Sequence, residues 1–161
     1  MTAANALGGA QRAGGWRRAI AEAPRRAEVL IVDDEAELRR SLQRLVTALG
    51  YNATVAASAE QADLLLSQGR YEVCLLDVEL PGMSGTEFLD WALTRDEEMA
   101  VIMLTGLDVP ELAVESVDRG ARTYLVKPFD ADFLRLALRD ALAMRRLLVE
   151  RNALRGEGAY R

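Results

Sequence analysis

The sequence predicts an α/β fold in which a parallel sheet carries helices on both faces. Three observations predict it. Short β-branched apolar runs alternate five times with segments of helical apolar spacing. The connections between them are short. The polar residues that stand out fall at the ends of the apolar runs, on the side where open α/β sheets bind ligands.

The elements follow in chain order. "EVLIV", residues 28–32, reads as a buried strand. In "EAELRRSLQRLVTALG" the residues Leu38, Leu42, Leu45, Val46 and Leu49 recur at helical spacing, and Gly50 is the stop signal. "NATVAA" is a second, weaker strand. Ser58 opens the second helix, "AEQADLLLSQG", which Gly69 closes. "YEVCLLDV" is the third strand, apolar without interruption as if covered on both faces. The loop "LPGMSG" leads to a third helix, "TEFLDWALTR", whose Trp91 reads as packing. "MAVIMLTG" is the fourth strand, and "VPELAVESVDRG" the fourth helix, with Pro110 near its first turn. "RTYLVKP" is the fifth strand and its exit, and "DADFLRLALRDALAMRRLLVERNALR" is a long fifth helix.

Composition narrows the chemistry. Of the 161 residues, 50% are apolar, enough to bury a core. The net charge of −5 argues against a protein whose main task is gripping nucleic acid. No apolar run reaches transmembrane length, so a soluble, cytoplasmic protein with no membrane partner is expected. The single cysteine, Cys74, fits a reducing compartment and reads as a buried, inert thiol. There is no histidine, which removes the commonest general base and metal ligand together. Charge is unevenly spread: residues 1–27 hold five arginines and one glutamate and read as a disordered basic extension.

The strand ends carry the candidate site. The first strand runs into Asp33 and Asp34, the third ends in Asp77, the fourth in Thr105 and the fifth in Lys127, the only lysine of the chain. Grouped carboxylates repel unless something neutralises them. With no histidine present, a hard cation such as Mg²⁺ suits an all-oxygen donor set. A carboxylate beside such an ion can act as a nucleophile towards phosphorus. Thr105 and Lys127 are a hydroxyl and an ammonium able to receive the transferred oxygens. A compact lysine suits a crowded site better than a planar arginine fork, and the proline that follows it could hold a cis peptide bond.

"VLIVDDE", "CLLDVELPGMSG", "VIMLTG" and "GARTYLVKPF", in this order and spacing, resemble the response-regulator receiver domain of two-component signalling. The resemblance spans residues 28–145. It implies a flavodoxin-like sheet of strand order 2-1-3-4-5, followed by a helical extension and tail over 146–161. It implies Asp77 as the phosphoacceptor. Asp34 would hold Mg²⁺ directly, Asp33 mainly through water, and Glu79 through its backbone carbonyl. Thr105 and Lys127 would contact the phosphoryl oxygens. Tyr124 occupies the switch-aromatic position, with the small Gly106 leaving room for its ring. Glu79 and Leu107 stand where the family tunes phosphoryl lifetime. The implied donor is a sensor histidine kinase or phosphotransfer protein. The implied output is an effector or a homodimer engaged through the face of the fourth helix, fifth strand and fifth helix, or through the C-terminal helix. Such a domain is regulatory rather than an enzyme, its chemistry limited to self-catalysed phosphoryl transfer and dephosphorylation.

An alternative from the enzyme class is an aspartyl-phosphate phosphatase of the haloacid dehalogenase type, which "LLDVEL" partly resembles. That family places a second aspartate two residues after its nucleophile, where this chain has Glu79. Only "GEGAYR" follows residue 155, so the expectation is a stand-alone receiver or a piece of a longer protein. Met144, Leu147, Leu148, Arg151 and Leu154 lie near coiled-coil spacing, which suggests a dimerising or linking helix.

Overall fold

A computed structural model describes residues 25–106 and 110–158. The expected basic extension over 1–27 therefore lies almost wholly outside the described residues. Five strands, β1 (Glu28–Val32), β2 (Asn52–Ala56), β3 (Val73–Asp77), β4 (Ala100–Thr105) and β5 (Thr123–Val126), form one sheet. Every pairing is parallel, and the order is β2-β1-β3-β4-β5. The helices are α1 (Ala36–Ala48), α2 (Ala59–Gln68), α3 (Gly85–Arg95), α4 (Pro110–Asp118) and α5 (Ala131–Gly158).

Burial follows strand position. β3 and β4 are buried at every residue and β1 at all but its first, whereas β2 and β5 are mostly half-exposed. The three continuous apolar runs thus occupy the centre, where helices cover both faces. Alternate residues feed two cores. Leu30, Val32, Cys74, Leu76, Val101 and Met103 pack beneath α2 and α3, with Phe88 the largest side chain there. Val29, Ile31, Leu75, Ile102 and Leu104 pack beneath α1 and α5, against Leu42, Val46, Leu134 and Leu138.

Local signals set the ends of the helices. Gly50 closes α1 at φ +98°, a backbone conformation that costs glycine little. Ser58 caps α2 by accepting from the Gln61 N–H. At α3 the helix begins one residue earlier than expected. Ser84 accepts from the Glu87 N–H while Glu87 accepts from the Ser84 N–H, a reciprocal capping box.

One side chain departs from expectation. Trp91 is not core packing: it lies 42% exposed, donates from Nε1 to Asp63 Oδ1 at 2.8 Å, and carries the Arg95 guanidinium 4.9 Å from its ring centre. It ties α3 to α2 across the surface. The helical extension expected from residue 146 onwards runs on from α5 without a break to Gly158. Asn152 Nδ2 reaches Glu97 and Glu98 in the turn before β4, so the helix is still held to the body three turns beyond its last buried residue, Ala141.

The closest backbone approach lies beside β3. A Cβ added to Gly85 would stand 2.0 Å from the Asp77 carbonyl oxygen and 2.8 Å from Val78 Cα. Both obstacles are backbone, so neither can turn aside. Gly85→Ala is expected to lower stability by about 2–3 kcal/mol, read as a shift of the urea midpoint with an unchanged slope. An alanine variant as stable as the parent would show that α3 moves away freely.

Candidate phosphoacceptor and metal site

Sheet register builds the site. Val32 is level with Leu76 across the β1–β3 pair, so the next residues, Asp33 and Asp77, emerge side by side. Asp77 is level with Leu104 across β3–β4, which sets Thr105 at the adjoining end of β4. Thr105 is level with Val126, and Lys127 follows at the exit of β5, its N–H donating to the Thr105 carbonyl at 2.7 Å. The Lys127–Pro128 peptide is cis, as the sequence suggested.

Lys127 Nζ bridges the two acids, 2.9 Å from Asp33 Oδ2 and 3.1 Å from Asp77 Oδ2. Asp33 is fully buried and its carboxylate is doubly engaged, since Oδ1 accepts from the Glu35 N–H at 2.9 Å. Asp77 is 4% exposed, and its Oδ1 accepts from the Glu79 N–H at 3.0 Å. Buried carboxylates require such partners. Asp34, by contrast, is exposed.

One ammonium for two buried carboxylates leaves an excess of negative charge, and Asp77 registers it. Burial pushes the Asp77 carboxyl up from an ordinary 3.8 to about 6; the Glu79 N–H opposes the rise, the Asp33 charge adds to it, and Lys127 opposes it. For Lys127, burial works to lower the pKa, but the hydrogen bonds and charges of Asp33 and Asp77 outweigh it, so the net direction is up and the side chain stays cationic.

The same carboxylates fit a hard cation. One oxygen from each of Asp33, Asp34 and Asp77 can be chosen so that all three lie within 4.8 Å of one another. No nitrogen or sulfur ligand belongs to the group, a donor set that suits Mg²⁺ rather than Zn²⁺.

Of the other residues singled out, Thr105 is nearly buried at its strand end. Tyr124 is 40% exposed and stands on β5 level with Met103, away from the carboxylates. A Cβ on Gly106 would meet nothing within 4 Å, so there is space above Thr105. Leu107 lies outside the described residues. Cys74 is buried and its thiol is pushed up to about 12 by that burial, which fits the inert role expected of it. Sequence reasoning missed Arg39, whose Nη1 donates to the Asp33 carbonyl at 2.8 Å and fixes the turn that carries both first-strand acids. No motif marks that contact.

Comparison with known proteins agrees with the fold. The family model for the response regulator receiver domain matches residues 29–139. Sporulation initiation phosphotransferase F of Bacillus subtilis is 35% identical over 118 residues, covering 73% of this chain and 95% of that protein. The alginate biosynthesis transcriptional regulatory protein AlgB of Pseudomonas syringae pv. tomato is 35% identical over 129 residues, covering 80% of this chain. The chain spans 29% of the length of that regulator. Among solved structures, a CheY-like receiver domain protein from Methanospirillum hungatei superposes with a TM-score of 0.72 at 30% identity, covering 76% of this chain and 98% of that one. The family model covers well over half of the chain, and the chain belongs to the response regulator receiver domain family.

Proposed function

We propose that this receiver accepts a phosphoryl group on Asp77 and signals through the change that follows. One observation carries the reading: the chain's single lysine bridges two buried carboxylates at neighbouring strand ends, with a third acid beside them. The donor would be a phosphohistidine on a sensor kinase or phosphotransfer protein, or a small acyl phosphate, in a cytoplasmic setting.

Asp77 Oδ2 would attack phosphorus while the bond from phosphorus to the donor nitrogen or oxygen breaks, the electron pair leaving with the donor. The product is an aspartyl phosphate. Lys127 already contacts Oδ2, so its ammonium is placed to follow the charge onto the phosphoryl oxygens. The Thr105 hydroxyl, one residue beyond the level of Asp77, would donate to another of them. Mg²⁺, when bound, would neutralise charge between the carboxylates and the incoming phosphoryl group. Asp34 is the better candidate for direct ligation, because it is exposed at the site whereas Asp33 is fully buried. Asp77 and the Glu79 carbonyl would complete the protein ligands.

The readout would be the surface of α4, β5 and α5. Drawing Thr105 towards the new charge frees space that Tyr124, now outward, could enter above Gly106. Glu79 is exposed beside the acceptor, where it could influence hydrolysis of the acyl phosphate; Leu107 is assigned the same role by its place in the sequence. Output would pass to an effector or to a second copy.

Incubation with acetyl phosphate and Mg²⁺ is expected to add one phosphoryl mass, and Asp77→Ala to add none. Chelating the metal is expected to abolish the adduct, and Lys127→Ala to slow its formation at least ~100-fold. Sustained release of phosphate from an ester over many turnovers would instead favour the phosphatase reading.

The raised Asp77 pKa has a stability consequence. Because the folded value of about 6 exceeds the ordinary 3.8, the native state takes up a proton that the unfolded chain does not bind in that window. Ionised Asp77 therefore costs stability, fully above pH 6 and less as pH falls towards 4. In metal-free buffer, Asp77→Asn is expected to be more stable than the parent by about 2 kcal/mol at pH 7.5, the gap closing by pH 4. Urea midpoints at the two pH values test it. A gap independent of pH would assign the gain to packing instead.

A further inference from the structure

At the pole of the sheet opposite Asp77, a concavity of about 530 Å³ opens between the entry to β1, the α1–β2 turn and the middle of α5. Its walls carry Arg25, Arg26, Arg139 and Arg146, with no acidic residue among the lining. The other concavities differ: those beside α4, between α2 and α3, and between β5 and α5 mix acids with bases. A purely cationic hollow stands out in a chain of net charge −5.

The fold fixes the backbone that carries these arginines. The Asn52 N–H donates to the Ala27 carbonyl at 3.0 Å, which extends the β1–β2 ladder and fixes the backbone beside Arg26. Glu72 grips the same segment, accepting from the Glu28 N–H and pairing with Arg25 at 3.2 Å. Arg139 and Arg146 are seven residues apart and share one face of α5 with Leu142. Pairing is incomplete. Glu72 balances Arg25, and Arg139 meets only its exposed neighbour Asp140 at 3.7 Å. Arg26 and Arg146 have no carboxylate partner among the described residues, and both are exposed. Two to three uncompensated positive charges thus converge from two separate elements. Leu142 and the half-buried Tyr51 supply an apolar wall.

We propose that this pocket binds a nucleoside di- or triphosphate. Arginine forks match phosphate oxygens two at a time, and several held around one hollow suit a run of linked phosphates rather than a single one. The volume lies within the range of small-ligand sites. The apolar wall beside the cations offers a surface for the nucleoside. The ligand would lie against α5, the helix that begins four residues after Lys127, at the pole remote from the phosphoacceptor.

The test is isothermal titration of the full chain with ATP, GTP and inorganic pyrophosphate, in EDTA and 150 mM salt. EDTA keeps metal–nucleotide complexes out of the carboxylate site. Saturable one-to-one binding of at least one nucleotide, tighter than that of pyrophosphate, is expected. Arg26→Ala and Arg146→Ala, on different elements, are each expected to weaken it about tenfold, with folding checked by urea midpoint and Asp77 labelling by acetyl phosphate unchanged. Absence of heat up to millimolar nucleotide would overturn the proposal. So would pyrophosphate binding as tightly as nucleotides, since the apolar wall would then play no part. Equal affinity in both variants would place the ligand elsewhere. Preference for duplex DNA over every nucleotide, with steep salt dependence, would identify a nucleic-acid surface instead.

Discussion

Everything at the active pole depends on the bridge from Lys127 to Asp33 and Asp77. Two carboxylates cannot both be buried at neighbouring strand ends without a counter-charge, and one ammonium supplies only half of what two anions need. Burial is the main cause of the raised Asp77 pKa, and the Asp33 charge adds to it. The uncompensated charge makes the pole a candidate cation site, because a divalent ion would answer a surplus that the protein's own side chains leave open. Asp33 is committed to the bridge through one oxygen and to the Glu35 N–H through the other. Asp77 is held in the same way, by the Glu79 N–H and the shared lysine, but is not fully enclosed. The acid proposed to react is the one whose burial is incomplete.

That bridge exists only because the sheet is parallel and in register. Each strand delivers its last residue to the same edge, and each crossover helix returns the chain to the opposite one. The Val32–Leu76 pairing decides that Asp33, not Asp34, stands beside Asp77. Packing around the edge leaves little slack: Gly85 lets the first turn of α3 press against the Asp77 carbonyl, and the capping box at Ser84 fixes where that turn begins. A shift in α3 would therefore be felt at the acceptor's own backbone.

Much of this was legible in the sequence, for reasons that differ by element. β1, β3 and β4 are unbroken apolar runs because both their faces are covered, and a run without alternation is hard to misread. The strand order came from resemblance, yet it has a physical trace: "NATVA" and "TYLV" carry polar residues because they lie at the sheet's edges. The candidate site residues could be singled out because four strand ends carry them. The division of roles within the Asp33–Asp34 pair came from resemblance; the residues alone do not show which stands beside Asp77, since identical neighbours differ only in the register of a strand more than forty residues away. Arg39 escaped because its contact is to a backbone carbonyl, which no side-chain pattern announces. The Ser84 to Glu87 spacing was a visible capping signal that the loop reading passed over. Trp91 was misjudged because an aromatic on an amphipathic helix usually faces inward; here Asp63 and Arg95 give its ring and indole N–H partners at the surface.

The distribution of lysine and arginine follows from what each pole asks of a cation. At the acidic pole the cation must fit between two carboxylates about one ion apart, touch each with a single atom, and keep contact as charge moves outward from Asp77 onto a transferred group. A lysine Nζ does this, since its three donors radiate from one point on a flexible stem. A guanidinium in that place would present a plane, satisfying one carboxylate as a fork while crowding the other. At the opposite pole, the arginines stand around an open hollow where no single atom must serve two partners. There the wide fork is no handicap, and its weaker hydration lowers the cost of leaving water for an anion. The chain uses lysine once, at the position where geometry requires a point charge, and arginine where a broad donor array serves.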